Sequence, residues 1–515
     1  MGGRPVKKTT RNLGILLGVL GGYISLLLLL TLAESQSPDS SIRSIGDALW
    51  YSIVTISTVG YGDLYPVTWP GKLIGLLFVV LSVGALAFLV GAALQLMTGK
   101  LLPRLQMWLR RSKPWYLFSE YNEATQALAE SIAHEDPQAV VLFPMTEQAK
   151  EAGWLSYPGT LLQAARQKKE NCRLFFINNA SGSNFAPALE AAALGHPVYC
   201  RTEQVSAACP GNLKLFNRYS CCARQYWADH PLIPGQRKLL LVGSGRYATA
   251  LLEQGLLQNI FGPAYSTQYH LCGDWQDFLS NHPQLLDLLS SEGQDALVQH
   301  TRWNEDWDLI LQADRILLCG DDEAENLSIL TQLQTYFPTL GQIHLRTSQD
   351  IPGQICFGSN RQIYSTDFVI ADIQAKTGRA MHEIYRQSYP DNAPCWEALN
   401  DFTRRSNLAV ADHIAVKIRL LLQDPALTKI TASHCASAYA IWRSADVPTR
   451  QAYLALEHQR WMRFHSLYNW RYSPVRNNAA RLHPEMRPFE DLPASEQEKD
   501  AYSWQLLESV AAFIE

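Results

Sequence analysis

Near the N-terminus, six consecutive residues place glycine at alternate positions between two long apolar runs. They are Thr58, Val59, Gly60, Tyr61, Gly62 and Asp63. Because glycine lacks a Cβ atom, Gly60 and Gly62 can adopt left-handed dihedrals without steric cost. Residues that alternate in this way turn successive carbonyl oxygens toward one side of the chain. The stretch therefore predicts a row of converging backbone oxygens.

Such a row of oxygens suits a dehydrated potassium ion. Four copies of the loop around one axis replace the hydration shell of the ion with peptide carbonyls. Thr58 would add its hydroxyl at the inner end, while Val59 and Tyr61 would face away and pack behind the loop. We therefore predict K+ held by the filter carbonyls of residues 58–63 in a homotetramer, because one chain supplies one loop. An ordinary turn is the alternative.

The segments that flank this stretch favour the ion site. Residues 48–57 are predicted to form a short re-entrant helix, whose C-terminal end directs partial negative charge toward the loop. Non-helical backbone at membrane depth is tolerated where protein or water covers it. Residues 47–68 together resemble the simple two-helix bacterial potassium channels. This resemblance implies a passive, potassium-selective ion channel and not an enzyme.

Two apolar segments, residues 13–32 and 73–97, are long enough to span a membrane. Basic residues precede the first segment and follow the second. Because positive charge marks the cytoplasmic side, we predict a multi-pass protein of the cell inner membrane with both termini in the cytoplasm. A cleaved signal peptide is the alternative for the first segment.

Small residues along the second apolar segment are candidates for a gate. They are Ser82, Gly84 and Gly91. A glycine lets a pore-lining helix bend, which is one way to open a pore. Close helix packing also favours small residues, so both interpretations stay open.

Composition limits the partners and the compartment. The chain has 515 residues, a formal charge of −4 and 10 cysteines, and its length suggests roughly three or four domains. No long basic tract predicts a nucleic-acid partner. All cysteines follow the apolar segments, and none has a paired metal-ligand spacing, so we expect free thiols in a reduced cytoplasm.

A predicted strand at residues 238–242 runs into a glycine-rich turn and a helix. The candidate nucleotide-binding residues are Gly243, Ser244, Gly245, Arg246, Tyr247, Ala248, Asp274, Gly320 and Asp321. Such a turn lets a phosphate approach the helix N-terminus. Asp274, after a strand at 269–272, would bond a ribose hydroxyl. Further strands are predicted at 314–319 and 342–346. A tight turn that binds nothing is the alternative.

An equivalent unit precedes this one. Its predicted strands are residues 115–118, 139–143, 172–177 and 197–200. Residues 119–124 contain no glycine where the phosphate turn would lie, so we expect the fold without phosphate binding there. Residues 213–230 are predicted to be a helical crossover. Together, residues 114–376 resemble the tandem regulator-of-potassium-conductance (RCK) domains below many bacterial channels.

The C-terminal part is predicted to be helical, and its histidines and aromatic residues form a recurring pattern. From residue 438 onward, the chain resembles the ryanodine-receptor repeat (RyR) domain. The candidate ligand pocket comprises His458, Trp461, Trp470, Tyr472, His483 and Arg487. Aromatic faces would stack on a base while an arginine meets phosphate. Packed core residues are the alternative.

The predicted fold class is multidomain: an α-helical two-span pore, two α/β Rossmann-like domains and a mainly α-helical RyR domain. The predicted boundaries are 1–100 for the pore, 101–113 for a basic linker, 114–236 and 237–376 for the RCK-like domains, 377–437 for a helical connector and 438–515 for the RyR-like domain. These imply a ligand-gated potassium channel regulated by a nucleotide or dinucleotide. A membrane-tethered nucleotide sensor and a membrane-anchored dehydrogenase are the alternatives.

Overall fold

The computed structural model describes residues 21–96, 101–203, 209–262, 265–292, 295–388 and 394–511. The chain divides into two units, Met1–Leu109 and Arg110–Glu515. The first unit contains four helices within the described ranges: α1 (Gly21–Glu34), α2 (Ile45–Ile56), α3 (Trp69–Leu96) and α4 (Leu102–Leu109).

Helix α3 is the described helix that is long and apolar enough to cross a membrane, over Trp69–Phe88, and α1 is a shorter apolar helix. Residues 13–20 of the first predicted span and residue 97 of the second lie outside the described residues. Helix α2 begins with a capping box, in which Ser44 and Asp47 each bond the backbone N–H of the other. This reciprocal cap satisfies two N–H groups at the start of the helix, and it fixes where the predicted re-entrant helix begins.

The three longest helices of this unit meet around Phe78. Its ring is edge-on to Tyr23 of α1 and to Tyr51 of α2, with ring centroids 6.2 and 6.3 Å away. Elsewhere α3 presents apolar side chains to the outside of the chain, including Leu76, Val80, Val83 and Phe88. These exposed side chains need lipid or neighbouring copies to cover them.

The second unit begins with a six-stranded parallel sheet. Its strands are β1 (Trp115–Phe118), β2 (Val140–Pro144), β3 (Leu155–Tyr157), β4 (Cys172–Phe176), β5 (Val198–Arg201) and β6 (Leu213–Phe216), in the order β3-β2-β1-β4-β5-β6. The four predicted strands are confirmed. The prediction for residues 213–230 was wrong at its start, because Leu213–Phe216 pairs with β5 as a strand.

Helices pack on this sheet as expected for crossover connections. They are α5 (Glu123–Glu135), α6 (Glu147–Glu151), α7 (Leu161–Ala165) and α8 (Phe185–Ala192), and α9 (Arg218–Asp229) follows β6. Stacked aromatic rings cross the centre of the sheet. Phe118 lies 4.8 Å from Phe143 and 4.7 Å from Phe175, and Phe175 lies 5.0 Å from Tyr199, all between ring centroids.

A second parallel sheet repeats the architecture. Its strands are β7 (Lys238–Val242), β8 (Gln268–Cys272), β9 (Ala296–His300), β10 (Arg315–Leu318), β11 (Ile343–Arg346) and β12 (Ile355–Phe357), in the order β12-β11-β10-β7-β8-β9. All strands are parallel, but the order in which the chain adds them reverses between β7 and β10: β8 and β9 lie on one side of this point, and β11 and β12 lie on the other. In such sheets this switch point opens a crevice at the carboxyl ends of the strands.

The helices of the second sheet are α10 (Arg246–Gln258), α11 (Gln276–Asn281), α12 (Pro283–Glu292), α13 (Trp307–Gln312), α14 (Glu323–Tyr336), α15 (Asn360–Ile363) and α16 (Thr366–Val369). The C-terminal helices are α17 (Ile373–Ser388), α18 (Asp401–Leu422), α19 (Ala432–Ser444), α20 (Val447–Leu467), α21 (Ala494–Gln497) and α22 (Tyr502–Val510). A short parallel bridge joins β13 (Arg471–Tyr472) to β14 (Leu482–His483).

The C-terminal helices share one apolar core, which includes Trp442, Leu454 and Trp504. The predicted boundaries at 376/377 and 437/438 fall inside α17 and α19, so each helix continues across its boundary. A capping box formed by Thr431 marks where α19 begins.

One buried ion pair joins the C-terminal helices to the second sheet. Arg463 Nη1 of α20 lies 2.5 Å from Asp295 Oδ2, directly before β9, and both side chains are almost inaccessible to solvent. Asp295 also accepts a hydrogen bond from the backbone N–H of Thr267 over 2.7 Å.

Candidate functional site

The glycine-bearing loop after α2 has an alternating backbone. Thr58, Gly60 and Gly62 have φ angles of +58°, +59° and +74°, whereas Val59 and Tyr61 do not lie in the left-handed region. The alternation predicted for the glycines therefore extends to Thr58. A left-handed threonine carries a strain of about 1–3 kcal/mol, so the surrounding contacts must hold it.

Helix α2 supplies several of those contacts. The carbonyl of Val54 accepts hydrogen bonds from the N–H groups of Val59 and Gly60, over 3.1 and 3.3 Å. At the other end of the loop, Asp63 accepts a 2.9 Å bond from the indole N–H of Trp50. The Trp50 ring also stacks on Tyr61, with ring centroids 6.2 Å apart and planes only 4° from parallel. The loop is thus braced by its own helix.

Glu34 anchors the segment that follows the loop. Its buried carboxylate accepts hydrogen bonds from the backbone N–H groups of Val67 and Thr68, both over 3.0 Å, and from the hydroxyls of Thr68 and Ser40, both over 2.6 Å. Thr68 in turn accepts a bond from the N–H of Gly71 at the start of α3. Sequence analysis missed this role; an acid at the end of an apolar run was the available signal.

The candidate gate residues lie along α3. The helix is continuous through Ser82, Gly84 and Gly91. Among the described residues, no atom lies within 4 Å of a Cβ atom added at Gly84 or Gly91. Close packing against the described part of the chain therefore does not explain these two glycines, and bending and contact with another copy both stay open.

The predicted phosphate turn, which we call the Gly243 turn, lies at the switch point of the second sheet. Gly243 and Gly245 have φ angles of +102° and +111°. A Cβ atom on Gly243 would lie 2.6 Å from the backbone of Gly320, after β10. Glycine is required here because two loops of the protein touch, whatever else the turn binds.

The carboxylate of Asp321 lies where a phosphate would bind in a turn of this kind. Its oxygens each lie 3.0 Å from a backbone nitrogen at the start of α10, one from Arg246 and the other from Tyr247. These N–H groups are the ones a bound phosphate would use in such a turn. Asp321, predicted to contact a nucleotide, instead caps the helix, and Gly245 gives its carboxylate the necessary room.

The other predicted residues of this site divide into two groups. Ala248 and Tyr247 are buried, and the Tyr247 ring contacts Tyr219 edge-on at 4.7 Å. Asp274 is exposed after β8 and, among the described residues, accepts one hydrogen bond, from the N–H of Gln276 over 3.1 Å. Its carboxylate can therefore still accept a bond from a ligand hydroxyl. Ser244, within the turn, is partly exposed.

A cavity of about 580 Å³ adjoins the turn. We call it the five-helix cavity, because residues of α9, α10, α11, α18 and α20 line it. Gly245, Arg246 and Asp274 lie at its wall, together with Phe464 and Tyr468 from the C-terminal helices. Sequence analysis missed this cavity, because its walls come from segments that are far apart along the chain.

The candidate pocket of the C-terminal part is a packed aromatic cluster. Trp461 lies 3.9 Å from His465 and 5.0 Å from His483, and Trp470 lies 5.4 Å from His465, all between ring centroids. His465 occupies the centre, although sequence analysis did not select it. Burial lowers its pKa to about 3. Tyr472 lies outside the cluster and is 52% exposed.

His458 and Arg487 are joined at the edge of this cluster. His458 Nε2 donates to the backbone carbonyl of Arg487 over 2.9 Å, and Nδ1 lies 3.3 Å from the carboxylate of Asp500. Burial opposes protonation of His458, but Asp500 outweighs it and raises the pKa. Across the described residues, no three His, Cys, Asp or Glu side chains converge as a metal site.

Comparison with known proteins bears mainly on the N-terminal unit. Residues 15–99 match the family model described as "Ion channel". A voltage-gated potassium channel of Aeropyrum pernix is 42% identical over 77 residues, which cover 15% of this chain and 25% of the relative. The human potassium voltage-gated channel subfamily A member 6 is 39% identical over 88 residues, 16% of each chain. Residues 15–99 are therefore similar to ion channels, and a stretch of up to 88 residues of the chain is similar to potassium channels.

The chain spans a quarter or less of the length of the curated relatives it matches. Two solved structures align with more of it. The GsuK channel covers 68% of this chain and 96% of its own, with 14% identity and a TM-score of 0.35. GsuK bound to ADP covers 69% and 96%, with 14% identity and a TM-score of 0.33.

Proposed function

We propose that the protein is a potassium-selective channel, which conducts K+ passively through a pore built by four copies. The observation that carries this proposal is the alternating backbone of Thr58, Gly60 and Gly62, inside residues that match the ion channel family model. Alternation directs carbonyl oxygens to one side, where K+ replaces its water with peptide oxygens. Residues 58–63 are thus the proposed filter.

The exposure of the loop supports assembly. Val59 and Tyr61 are 53% and 68% exposed in the single chain, although a filter needs its outward side chains packed. Neighbouring copies would cover them. Because each chain supplies one loop, a closed ring of four is the symmetry that surrounds an ion. We place this pore in the inner membrane, with the second unit in the cytoplasm.

We further propose that the second unit gates the pore in response to a nucleotide-type ligand, as its RCK-like and RyR-like patterns suggest. Such a ligand shifts the gate only by its different affinity for open and closed states. Asp274 can still accept a bond from a ribose hydroxyl at the Gly243 turn. Phosphates at this turn must compete with Asp321, whereas the C-terminal cluster has to open to admit a base.

Flux into liposomes tests the conduction proposal. Reconstituted protein should pass K+ and exclude Na+, and Gly62→Ala should abolish K+ flux, because alanine is strained at a φ of +74°. Gly195→Ala is the matched control. Gly195 also has a left-handed φ, of +81°, but lies in the second unit with open space around its Cβ position. Equal passage of Na+ and K+ contradicts the proposal. Absent flux with intact nucleotide binding favours a membrane-tethered sensor.

A further inference from the structure

The five-helix cavity is large enough for a small organic molecule. Its volume of about 580 Å³ lies in the range of known small-molecule sites. Its walls come from α9, from the second Rossmann-like domain and from α18 and α20. No motif recognised in the sequence accounts for it, and it extends well beyond the Gly243 turn.

The charges at the cavity wall are unbalanced. Glu253, Asp274 and Asp277 line it, and none has a lysine or arginine within ion-pair distance among the described residues. The cavity also has three arginines, but each is engaged by an acid. The pairs are Arg224 with Asp412, Arg246 with Glu203, and Arg405 with Asp401. The surplus charge is therefore negative.

Glu253 is the most buried of these three acids. Burial raises its pKa, and Arg405 only partly opposes the rise. His282 Nε2 lies 3.9 Å away. However, His282 Nδ1 donates to the carbonyl of Leu467 over 2.8 Å, and burial lowers the pKa of this histidine. A neutral imidazole whose proton is on Nδ1 brings no positive charge to Glu253.

Aromatic side chains form much of the remaining wall. Trp275, Phe278, Phe464 and Tyr468 line the cavity. The indole N–H of Trp275 is buried and has no acceptor in the described part of the chain. Aromatic faces attract cations through their quadrupole.

We infer that the five-helix cavity binds an organic cation, with an amine or amidine beside Glu253 and an apolar or aromatic body against the aromatic wall. This inference goes beyond the proposed nucleotide response, because it assigns the surplus carboxylates and the aromatic wall to a ligand of opposite charge. The same ligand would touch both the second sheet and the C-terminal helices, so it would stabilise their contact.

Matched probes separate charge from shape. Tryptamine and its neutral analogue tryptophol share an indole ring and differ in the terminal amine or hydroxyl. Calorimetric titration of the full-length protein in lipid nanodiscs, at fixed ionic strength, should show saturable binding of tryptamine and much weaker binding of tryptophol. Glu253→Gln keeps the shape of the side chain but removes its charge, and should weaken tryptamine binding by at least about tenfold.

Two further variants make the result decisive. Glu508→Gln removes an exposed acid of α22 that does not line the cavity, and should leave tryptamine binding unchanged. Thr249→Trp fills the cavity from α10 and should abolish binding while the thermal unfolding midpoint stays near that of the parent. Binding of the amine to the pore would be indifferent to Glu253 and Thr249. Equal affinity for both probes, or an unchanged Glu253→Gln titration, overturns the inference.

Discussion

Trp50 donates its indole N–H to the carboxylate of Asp63 over 2.9 Å. A hydrogen bond to a charged group is worth about 1.5–3 kcal/mol, and this one fixes the outer end of the proposed filter. Trp50→Phe keeps a ring against Tyr61 but removes the donor. We expect K+ flux in liposomes to fall at least about tenfold. Trp69→Phe is the control: Trp69 is 74% exposed in the chain, and this variant should conduct K+ normally. The prediction is wrong if Trp50→Phe keeps the K+ flux and selectivity of the parent protein.

Glu34→Gln should loosen the segment after the filter. The carboxylate accepts four hydrogen bonds from Ser40, Val67 and Thr68, whereas an amide turns one of its acceptors into a donor facing other donors. We expect a loss of about 1–3 kcal/mol, seen as a lower thermal unfolding midpoint and reduced K+ flux. Asp39→Asn, at an exposed residue nearby, should change neither quantity.

Asp321→Asn should strengthen nucleotide binding if a nucleotide uses the Gly243 turn. The substitution costs about 1 kcal/mol of helix capping, but it removes the carboxylate that competes with phosphate for the N–H groups of Arg246 and Tyr247. Titration of ADP should therefore give a lower Kd than for the parent protein.

Asp322→Asn is the matched control for this substitution. Asp322 caps α14 through the N–H groups of Ala324 and Glu325. Its substitution should therefore cost a similar free energy of helix capping as Asp321→Asn, but it leaves the carboxylate at the Gly243 turn in place. ADP affinity should stay unchanged. If Asp321→Asn also leaves ADP affinity unchanged, any nucleotide site lies elsewhere, and the C-terminal cluster becomes the place to search.

His465 should make the second unit sensitive to acid. Its pKa of about 3 in the folded state lies below the value of about 6.5 in an unfolded chain. Between these values the unfolded state binds the extra proton, so stability is complete above about pH 6.5 and falls as the pH drops toward 3. His465→Phe should reduce the slope of unfolding free energy by about 1.4 kcal/mol per pH unit in that window.

Urea unfolding followed by tryptophan fluorescence at several pH values from 7.5 to about 4.5 measures this slope. His134→Phe is the control, since His134 is exposed at the end of α5 and should leave the slope unaltered. An identical pH dependence in His465→Phe and the parent protein would show that His465 titrates normally in the folded state.

Glu457 should be essential for the C-terminal core. Its carboxylate lies 2.7 Å from Lys417 Nζ and 2.7 Å from Arg460 Nη2, and all three side chains are almost inaccessible. Glu457→Gln leaves two buried cations without an anion, which we expect to cost about 3–5 kcal/mol. Lys417→Met should cost clearly less, because Glu457 keeps Arg460. Urea unfolding compares the two, and a larger loss in Lys417→Met contradicts the argument.

The strands that sequence analysis found and those it missed differ in position. The eight predicted strands are the central four of each sheet, whereas β3, β6, β9 and β12 are the four edges. Edge strands have one unpaired side and often one wet face, so they are short and carry weaker apolar patterns. Ile355 of β12, for example, is 39% exposed. The central strands are buried on both faces and read as continuous apolar runs.

For the sites, what could be predicted depended on whether a feature rests on local or on distant contacts. The alternating loop was predictable because glycine permits its backbone wherever the rest of the chain lies. The roles of Glu34 and Asp321 could not be predicted, because each side chain bonds N–H groups that come near it only in the folded chain. Asp321 was selected as a nucleotide contact, whereas in the folded chain its carboxylate bonds the N–H groups of Arg246 and Tyr247 at the Gly243 turn.

Arg463 and Asp295 set a limit on how the second unit can deform. Separating α20 from β9 would leave a guanidinium and a carboxylate buried without their partners, at a free-energy cost of several kcal/mol for each ion. The Arg463–Asp295 pair therefore opposes any separation of α20 from the second sheet. A displacement of α20 would carry the edge strand β9 with it, so a signal that moves this helix needs no separate hinge to reach the sheet.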